Sequence, residues 1–278
     1  YLLQGVTYGT RPLPESAALA RQAAQRALSL DDTQATAVQT DAQLKFLVDW
    51  DAAGAERSYR RALELAPNAG STRQHYAMFL AAQRRLPDAM QQMQQALALD
   101  PTSLQAQAAL GMIWHYARSN DQAERIFRDV LAVDPALGSA RFGLVRTLID
   151  VGRHEEALTH LAEIRRRSGG TLSPAQEAAV GLANAGLNRR GAAQAIAEQL
   201  VLREQREHVE GGGVVLRRRK QRHVLRYEGA ARAGVSGLHV VDAVVFILRH
   251  GVRVVEAELQ LMTAAERLVD VVLSGGVG

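Results

Sequence analysis

The 278-residue chain contains no cysteine, and only two of its 33 basic residues are lysines, Lys45 and Lys220. Without thiols there is no disulfide framework, no cysteine-ligated metal and no thiol chemistry. The absence of cysteine is compatible with a reducing cytoplasm, which is the location we expect, and it leaves a periplasmic location open.

Long hydrophobic runs are also missing. The most apolar window, 240–248, is interrupted by Asp242 and followed by charged residues. A membrane-spanning helix needs about 18 or more apolar residues, so none is expected. The chain begins at Tyr1, without methionine or a signal-like segment, which predicts a fragment or a processed start.

Aromatic residues make up only 5% of the chain, although hydrophobic residues as a class make up 47%. Much of the hydrophobic content is alanine, a small residue with the highest helix propensity. This composition favours helices that pack closely through small side chains.

What the sequence does contain is a repeat. Pro67, Pro101 and Pro135 stand 34 residues apart, and each ends the same kind of phrase, for example Gln95-Ala-Leu-Ala-Leu-Asp-Pro101. Twelve residues before the prolines stand alanines and eight residues before them stand bulky apolar residues, namely Ala55, Ala89 and Ala123, and Tyr59, Met93 and Phe127. A fixed period of this size is typical of stacked helical repeats.

The period predicts helix pairs at 36–67, 70–101 and 104–135, a fourth pair at 138–169, and a weaker fifth pair with helices over 174–185 and 191–206. A lone helix over 15–30 precedes them as the second half of a partial unit. The step from Asp32 to Pro67 is 35 residues, one more than the period. We therefore expect a small irregularity near Asp49-Trp-Asp51.

The third unit resembles the tetratricopeptide repeat, whose phrase is W-x2-L-G-x2-Y…A-x3-F…P. The residues that carry the resemblance are Leu110-Gly111, Trp114, Ala123, Phe127 and Pro135. The resemblance implies an all-α fold, a right-handed α-solenoid of antiparallel helix pairs over residues 1–200. It implies no cofactor and no catalytic residue.

In that family the first helix of each pair lines a concave groove, and binding residues recur at fixed repeat positions. Carried over, these positions form what we call the first-helix strip: Leu44, Gln74, Met78, Gln105, Met112, His115, Tyr116, Phe142 and Arg146. A mixed apolar and polar strip suits an extended peptide or a partner helix, although each member can equally serve ordinary packing between helices. The chaperone-binding members hold a terminal carboxylate with Lys and Asn. Here the comparable places hold Thr40, Leu44, Gln74 and Met78, so that activity is not expected.

A narrower resemblance concerns Asp49-Trp-Asp-Ala-Ala-Gly-Ala-Glu56 with the following phrase from Tyr59 to Leu65. These residues are similar to the repeat region that follows winged-helix regulatory domains or nucleotide-cyclase domains in bacterial signalling proteins. The resemblance implies a non-catalytic interaction scaffold, the sensing or partner-binding part of a bacterial transcription regulator. The alternative is an accessory region of a signalling enzyme whose catalytic domain lies outside this chain.

Residues 201–278 differ from the rest: they are rich in valine, glycine and arginine, and carry 12 Lys and Arg against 9 Asp and Glu. Three interpretations stay open, namely short strands over 213–226 and 238–255 with a last helix over 256–273, a poorly structured tail, and translation out of frame. The basic run Arg217, Arg218, Arg219, Lys220 and Arg222 suits contact with phosphates. Because no aromatic residues are interleaved, a solvated face is the stronger interpretation.

One pattern superficially resembles a metal site. His154-Glu155-Glu156 is followed by His160, but the second histidine is six residues after the first, so the two do not share a helix face as a zinc motif requires. We interpret these residues as a solvated helix surface, and we expect neither a metal nor a cofactor.

Overall fold

A computed structural model describes residues 13–210 of the chain, with side chains from Glu15 to Leu200. All the regular structure in that range is helical. The helices are α1 (Leu13–Leu30), α2 (Ala35–Leu44), α3 (Ala52–Leu65), α4 (Gly70–Ala82), α5 (Leu86–Leu99), α6 (Leu104–Tyr116), α7 (Asn120–Val133), α8 (Gly138–Asp150), α9 (His154–Arg167), α10 (Pro174–Gly186) and α11 (Arg190–Glu210). The all-α prediction is confirmed. The strands and last helix proposed for the tail lie outside the described residues.

The chain divides after Ser173 into two compact units. Helices α1–α9 belong to the first unit, and α10 and α11 belong to the second. The expected change of character near residue 200 stays a prediction.

Within the first unit the helices stack in the predicted pairs. The four pairs are α2 with α3, α4 with α5, α6 with α7, and α8 with α9. Each of the second helices α3, α5 and α7 also packs on the first helix of the next pair. Neighbouring pairs therefore share their apolar faces, as in an α-solenoid, where one pair alone cannot bury its core.

The repeated positions form the core of this stack. The alanines at 34-residue intervals, Ala55, Ala89, Ala123 and Ala157, are all 0% exposed. The bulky residues four positions later are at most 2% exposed, namely Tyr59, Met93, Phe127 and Leu161. Small residues let the paired helices approach closely, and the bulky ones fill the wider gap towards the next pair.

Phe127 fills this gap most tightly. A Cβ atom added to Gly143 would lie 2.4 Å from the Phe127 ring, and one added to Gly111 would lie 2.7 Å from it. The Phe127 ring on α7 therefore lies between the backbones of α6 and α8, and glycine is needed at both Gly111 and Gly143.

The turns within the pairs also repeat. Four residues 34 positions apart have positive φ angles of 61°, 62°, 63° and 80°, namely Trp50, Arg84, Arg118 and Gly152. Only the last of them is glycine, the residue that adopts this left-handed conformation without steric cost.

The predicted irregularity near Asp49-Trp-Asp51 is confirmed. The last turn before Trp50 is a π-helix, Lys45–Asp49, and the Asp51 amide donates to the Lys45 carbonyl at 2.9 Å. A π-helical turn accommodates one extra residue, which accounts for the 35-residue step.

Each period-marking proline is held by the following first helix. A side chain six residues later donates a hydrogen bond to the proline carbonyl in three successive units: Arg73 to Pro67 at 2.7 Å, Gln107 to Pro101 at 2.9 Å and Arg141 to Pro135 at 2.6 Å. In the family phrase this position is tryptophan. Here a polar donor replaces the aromatic ring and satisfies a carbonyl in the connection between units.

Two ion-pair networks link a second helix to the residue that precedes the second helix of the next pair. Glu56 pairs with Arg60 at 2.6 Å and with Arg85 at 2.7 Å. Two periods later, Glu124 pairs with Arg128 at 2.8 Å and with Arg153 at 2.6 Å. The intervening unit carries uncharged residues at the equivalent positions, Met90, Gln94 and Ser119.

In the second unit, α10 and α11 pack against each other. The packing is close at Gly181, where an added Cβ would lie 3.3 Å from Ile196. Ala183 and Ala197 are buried. The predicted fifth pair is therefore present, with its first helix beginning at Pro174 as expected.

Candidate functional site

The first helices of the four pairs form one layer. Helix α2 contacts α4, α4 contacts α6, and α6 contacts α8. All nine residues of the first-helix strip lie on these four helices. The structure therefore brings the predicted positions onto one continuous layer, and the exposure of each residue decides what it can do there.

One row of the strip consists of Leu44, Met78, Met112 and Arg146, which occupy the same repeat position at intervals of 34 residues. Met78 and Met112 are half-buried, whereas Leu44 is 1% and Arg146 9% exposed. Only the two central members of the row, on α4 and α6, therefore offer substantial apolar surface.

Leu44 belongs to the core. It packs with Ala17 and Ala20 of α1 and with the partly buried Val48. Helix α1 covers this end of the layer, so the structure assigns Leu44 a packing role. Leu44 belongs to the predicted strip by its repeat position alone.

Three further members of the strip are open to different degrees. Gln74 on α4 and Phe142 on α8 are half-buried, and Gln105 on α6 is exposed. The Ser139 hydroxyl donates to the Gln105 side-chain oxygen at 3.1 Å, which links α8 to α6. Together with Met78 and Met112, these residues make an uncharged surface of thioethers, amides and one aromatic ring.

His115 lies beneath this surface and is 1% exposed. Its Nδ1 is 3.3 Å from the Thr147 hydroxyl of α8. Burial lowers the pKa of His115 to about 3, and the nearby positive charges of Arg146 and Arg118 act in the same direction. The ring is therefore neutral at pH 7, and it serves as a buried polar contact between α6 and α8.

Tyr116 and Arg146 pair across the same two helices. The guanidinium carbon of Arg146 lies 5.4 Å from the centroid of the Tyr116 ring, a cation–π distance. Nη1 of Arg146 donates to the Tyr116 hydroxyl in a long contact of 3.5 Å. Tyr116 is only 5% exposed, so its ring supports the guanidinium and contributes little open surface.

Three neighbours of this cluster were absent from the predicted strip. They are Thr147, Arg118 and Asp150. Thr147 contacts His115, and Arg118 forms an ion pair with Asp150 at 2.9 Å. Asp150 follows Arg146 by four residues, the spacing at which helical side chains are neighbours. Extending the strip by one helical turn along α8 would have included Asp150.

The other candidates from the sequence are not assembled into a site by the described residues. His160 lies beside Arg141, with Nδ1 3.1 Å from Nη1, and burial lowers its pKa. Among the described side chains, no group of three or more histidines and carboxylates is placed to hold a metal ion. The basic run from Arg217 to Arg222 lies outside the described range.

None of the helices in the described range is long and apolar enough to span a membrane.

Residues 116–179 match the sequence profile of the tetratricopeptide repeat family. No curated protein matches the chain. Among solved structures, a tetratricopeptide repeat protein from Parabacteroides merdae is similar over 67% of this chain and 72% of its own, with 14% identity and a TM-score of 0.57. PilW, a widely conserved type IV pilus biogenesis factor, is similar over 67% of this chain and 86% of its own, with 22% identity and a TM-score of 0.55.

At these identities the solved structures establish the fold alone. The fold agrees with the 34-residue period, with the buried alanine row and with the family match over 116–179. Residues 116–179 therefore carry tetratricopeptide repeat sequence, and they lie in a helical stack whose fold is similar to that of these repeat proteins.

Proposed function

We propose that the repeat array is a non-catalytic protein-interaction scaffold that binds a peptide or a partner helix along the first-helix strip. The observation that carries the proposal is the open, uncharged surface of Met78 and Met112, which recurs at one repeat position and continues to Phe142 on α8. Methionine adapts its shape to an apolar ligand, and amides such as Gln74 and Gln105 suit hydrogen bonds to a peptide backbone.

Selection of short peptides from a random display library tests this proposal. We expect the chain to select peptides whose binding is weakened about tenfold or more by the double substitution Met78→Ala and Met112→Ala, because apolar contacts of this kind dominate such interfaces. Met90→Ala is the matched control, since Met90 is also half-buried but lies on the second helix α5.

Two outcomes would contradict the proposal. One is failure of the chain to select any peptide. The other is equal weakening by the Met90 control, which would place the binding surface away from the first helices. Tyr116→Ala is not a suitable test of binding, because Tyr116 is 5% exposed and its loss would disturb the core.

The finer proposal is that the scaffold is the sensing part of a bacterial regulator in the cytoplasm. The alternative is an accessory region of a signalling enzyme such as a nucleotide cyclase. Both rest on the phrase from Asp49 to Leu65, in which Trp50 is 46% exposed and Asp51 caps α3 by accepting from the Gly54 amide at 2.8 Å. Sequencing the gene upstream of Tyr1 separates them, because a winged helix and a cyclase domain differ plainly. Finding neither domain would contradict both.

A further inference from the structure

Four helices on one side of each pair end in apolar residues that stand at the repeat period. The last residues of α1, α3, α5 and α7 are Leu30, Leu65, Leu99 and Val133, separated by 35, 34 and 34 residues. Leu30 is 75% exposed, Val133 71% and Leu99 44%, and Leu65 is half-buried. We call these four residues the helix-end row.

Such exposure is concentrated at this one repeat position. Five large apolar side chains are exposed in the described part of the chain, and three of them belong to the row. Because successive pairs stack on one another, one repeat position recurs along one edge of the stack. Single exposed apolar residues need no explanation, whereas a group of them on one surface indicates a site that another molecule covers.

The helix ends that carry the row also lack basic residues. A helix C-terminus has a partial negative charge, which basic side chains in the last turn stabilise. Helices α1, α3, α5 and α7 have no basic residue in the last turn. Helix α9 differs, because it ends in Arg165, Arg166 and Arg167, the last of them 34 residues after Val133. The next position of the row is therefore occupied by a cluster of arginines.

The two ends of the row have opposite charge. Leu30 is followed by Asp31 and Asp32, both exposed, and Arg26 one turn earlier offsets only one of these charges. At the other end, Glu163 pairs with the last two arginines of α9 at 2.7 and 2.5 Å, and offsets one of their three charges. The row therefore leads from a net negative charge at the end of α1 to a net positive charge at the end of α9.

We propose that the helix-end row is the contact surface of a homodimer, in which two copies of this chain pair antiparallel about a twofold axis. This arrangement brings the acidic end of each row to the arginines of the other copy, with the apolar residues between them. A partner of one charge sign matches only one end of the row, whereas a second copy matches both. The contact goes beyond the proposed function, because it uses the second helices and leaves the first-helix strip unoccupied.

Sedimentation velocity of the full chain at increasing concentration tests this contact. We expect monomers and dimers to exchange between about 1 and 100 µM, as is typical of a small interface. Leu99→Ser with Val133→Ser should raise the dissociation constant about tenfold or more, because each substitution removes apolar contact twice in a twofold interface. Val151→Ser is the matched control, since Val151 is 42% exposed but lies at the turn between α8 and α9. Thermal melting followed by circular dichroism checks that each variant is folded.

Charge reversal tests the antiparallel arrangement. Asp31→Arg with Asp32→Arg gives a row with two basic ends, and Arg165→Glu with Arg166→Glu gives a row with two acidic ends. Each of these variants alone should dimerise about tenfold more weakly than the native chain, because like charges then face each other. A mixture of the two variants should form a heterodimer within about threefold of the native affinity, because opposite charges meet again at both ends.

Three results overturn the proposal. The first is a chain that stays monomeric up to about 100 µM. The second is a dimer that Leu99→Ser with Val133→Ser weakens no more than Val151→Ser does, which places self-association on another surface. The third is a mixture of the two charge-reversed variants that associates no more tightly than either variant alone, which excludes antiparallel pairing.

Discussion

Two neighbouring junctions between helix pairs, one around Phe127 and one around Met93, are packed with different residues. Around Phe127, a large ring lies between two glycines, Gly111 and Gly143, and the Glu124–Arg153 ion pair links α7 to the residue before α9. One unit earlier the same positions hold Met93, with Ala77 and Ala109, and the outer positions Met90 and Ser119 carry no charge. The larger central side chain is therefore combined with smaller flanking residues, and the two junctions also differ in charge.

The difference suggests that the Phe127 junction is the less tolerant of the two. Methionine is flexible and fills irregular gaps, whereas a phenylalanine ring between two backbones has one fitting arrangement. The stability of the Phe127 junction depends on several residues that fit together, and substitutions can measure that dependence.

The largest effect is expected for Phe127→Ala, with a loss of about 3–5 kcal/mol in the free energy of unfolding. The flanking glycines have no side chains to fill the space, so the cavity persists. Met93→Ala is expected to cost less, about 2–3 kcal/mol, because Ala77 and Ala109 leave a smaller gap. Urea denaturation of the three proteins measures the difference. A larger loss for Met93→Ala would reverse our ranking of the junctions.

Next in size is Gly143→Ala. The new methyl group would lie 2.4 Å from the Phe127 ring, and such overpacking costs about 1–3 kcal/mol even though alanine favours the helix. Gly138→Ala in the same helix is the matched control, since nothing lies within 4 Å of a Cβ there; it should be neutral or stabilising. Equal effects of the two substitutions in urea denaturation would contradict the tight fit.

The comparison of the two junctions can also be tested by exchanging the residues of one for those of the other. The triple variant Gly111→Ala, Phe127→Met and Gly143→Ala copies the residues of the Met93 junction. We expect it to be at least about 1 kcal/mol more stable than the sum of the three single effects predicts, because residues in contact are not additive. A strictly additive triple variant would mean that ring and glycines do not act as one unit.

A smaller effect is expected from the outer ion pairs. Burial raises the pKa of Glu124, but hydrogen bonds from Arg128 and Arg153 outweigh it and the net shift is downward. A lowered carboxyl pKa stabilises the fold above the ordinary value of 4.5, and this contribution is lost as the pH falls through the folded-state pKa. Glu124→Gln should therefore cost about 1 kcal/mol at pH 7, and the difference from the native chain should shrink below about pH 4.

Denaturation at several pH values measures this difference. Glu64→Gln is the control, because the Glu64 side chain is 65% exposed and its pair with Arg61 is longer, at 3.2 Å. If the cost of Glu124→Gln were unchanged at low pH, an electrostatic origin would be excluded.

Much of the fold was predictable because the repeat appears in the sequence as a fixed spacing of a few residue types. The spacing of the prolines and alanines predicted the helix pairs between residues 36 and 167. The extra residue before Pro67 predicted an irregularity near Asp49-Trp-Asp51, and the structure shows it to be a π-helical turn. The proline-carbonyl contacts of Arg73, Gln107 and Arg141 were not predicted, although they share the 34-residue period. An arginine or glutamine on a helix surface gives no local sign of its acceptor.

The candidate site was less predictable, since exposure depends on residues far away in the sequence. Leu44 and Met78 occupy the same repeat position, yet α1 covers the first and leaves the second half-open. The repeat pattern placed Arg146 on the strip, but its burial against Tyr116 depends on two side chains 30 residues apart. The period fixes which helix face a residue occupies, and contacts between units decide what the residue does there.

The smallest effect concerns the turns. Arg84 and Arg118 occupy the same turn position with φ angles of 62° and 63°, and a left-handed conformation costs a non-glycine residue about 1 kcal/mol. Arg84→Gly should therefore stabilise the chain by about 0.5 kcal/mol, after allowing for the greater freedom of glycine in the unfolded state. Arg118→Gly should gain nothing or destabilise, because it also removes the 2.9 Å ion pair with the largely buried Asp150. Urea denaturation of both variants measures these changes in the free energy of unfolding. Equal stabilisation would mean that the Arg118–Asp150 pair contributes nothing to the free energy of unfolding.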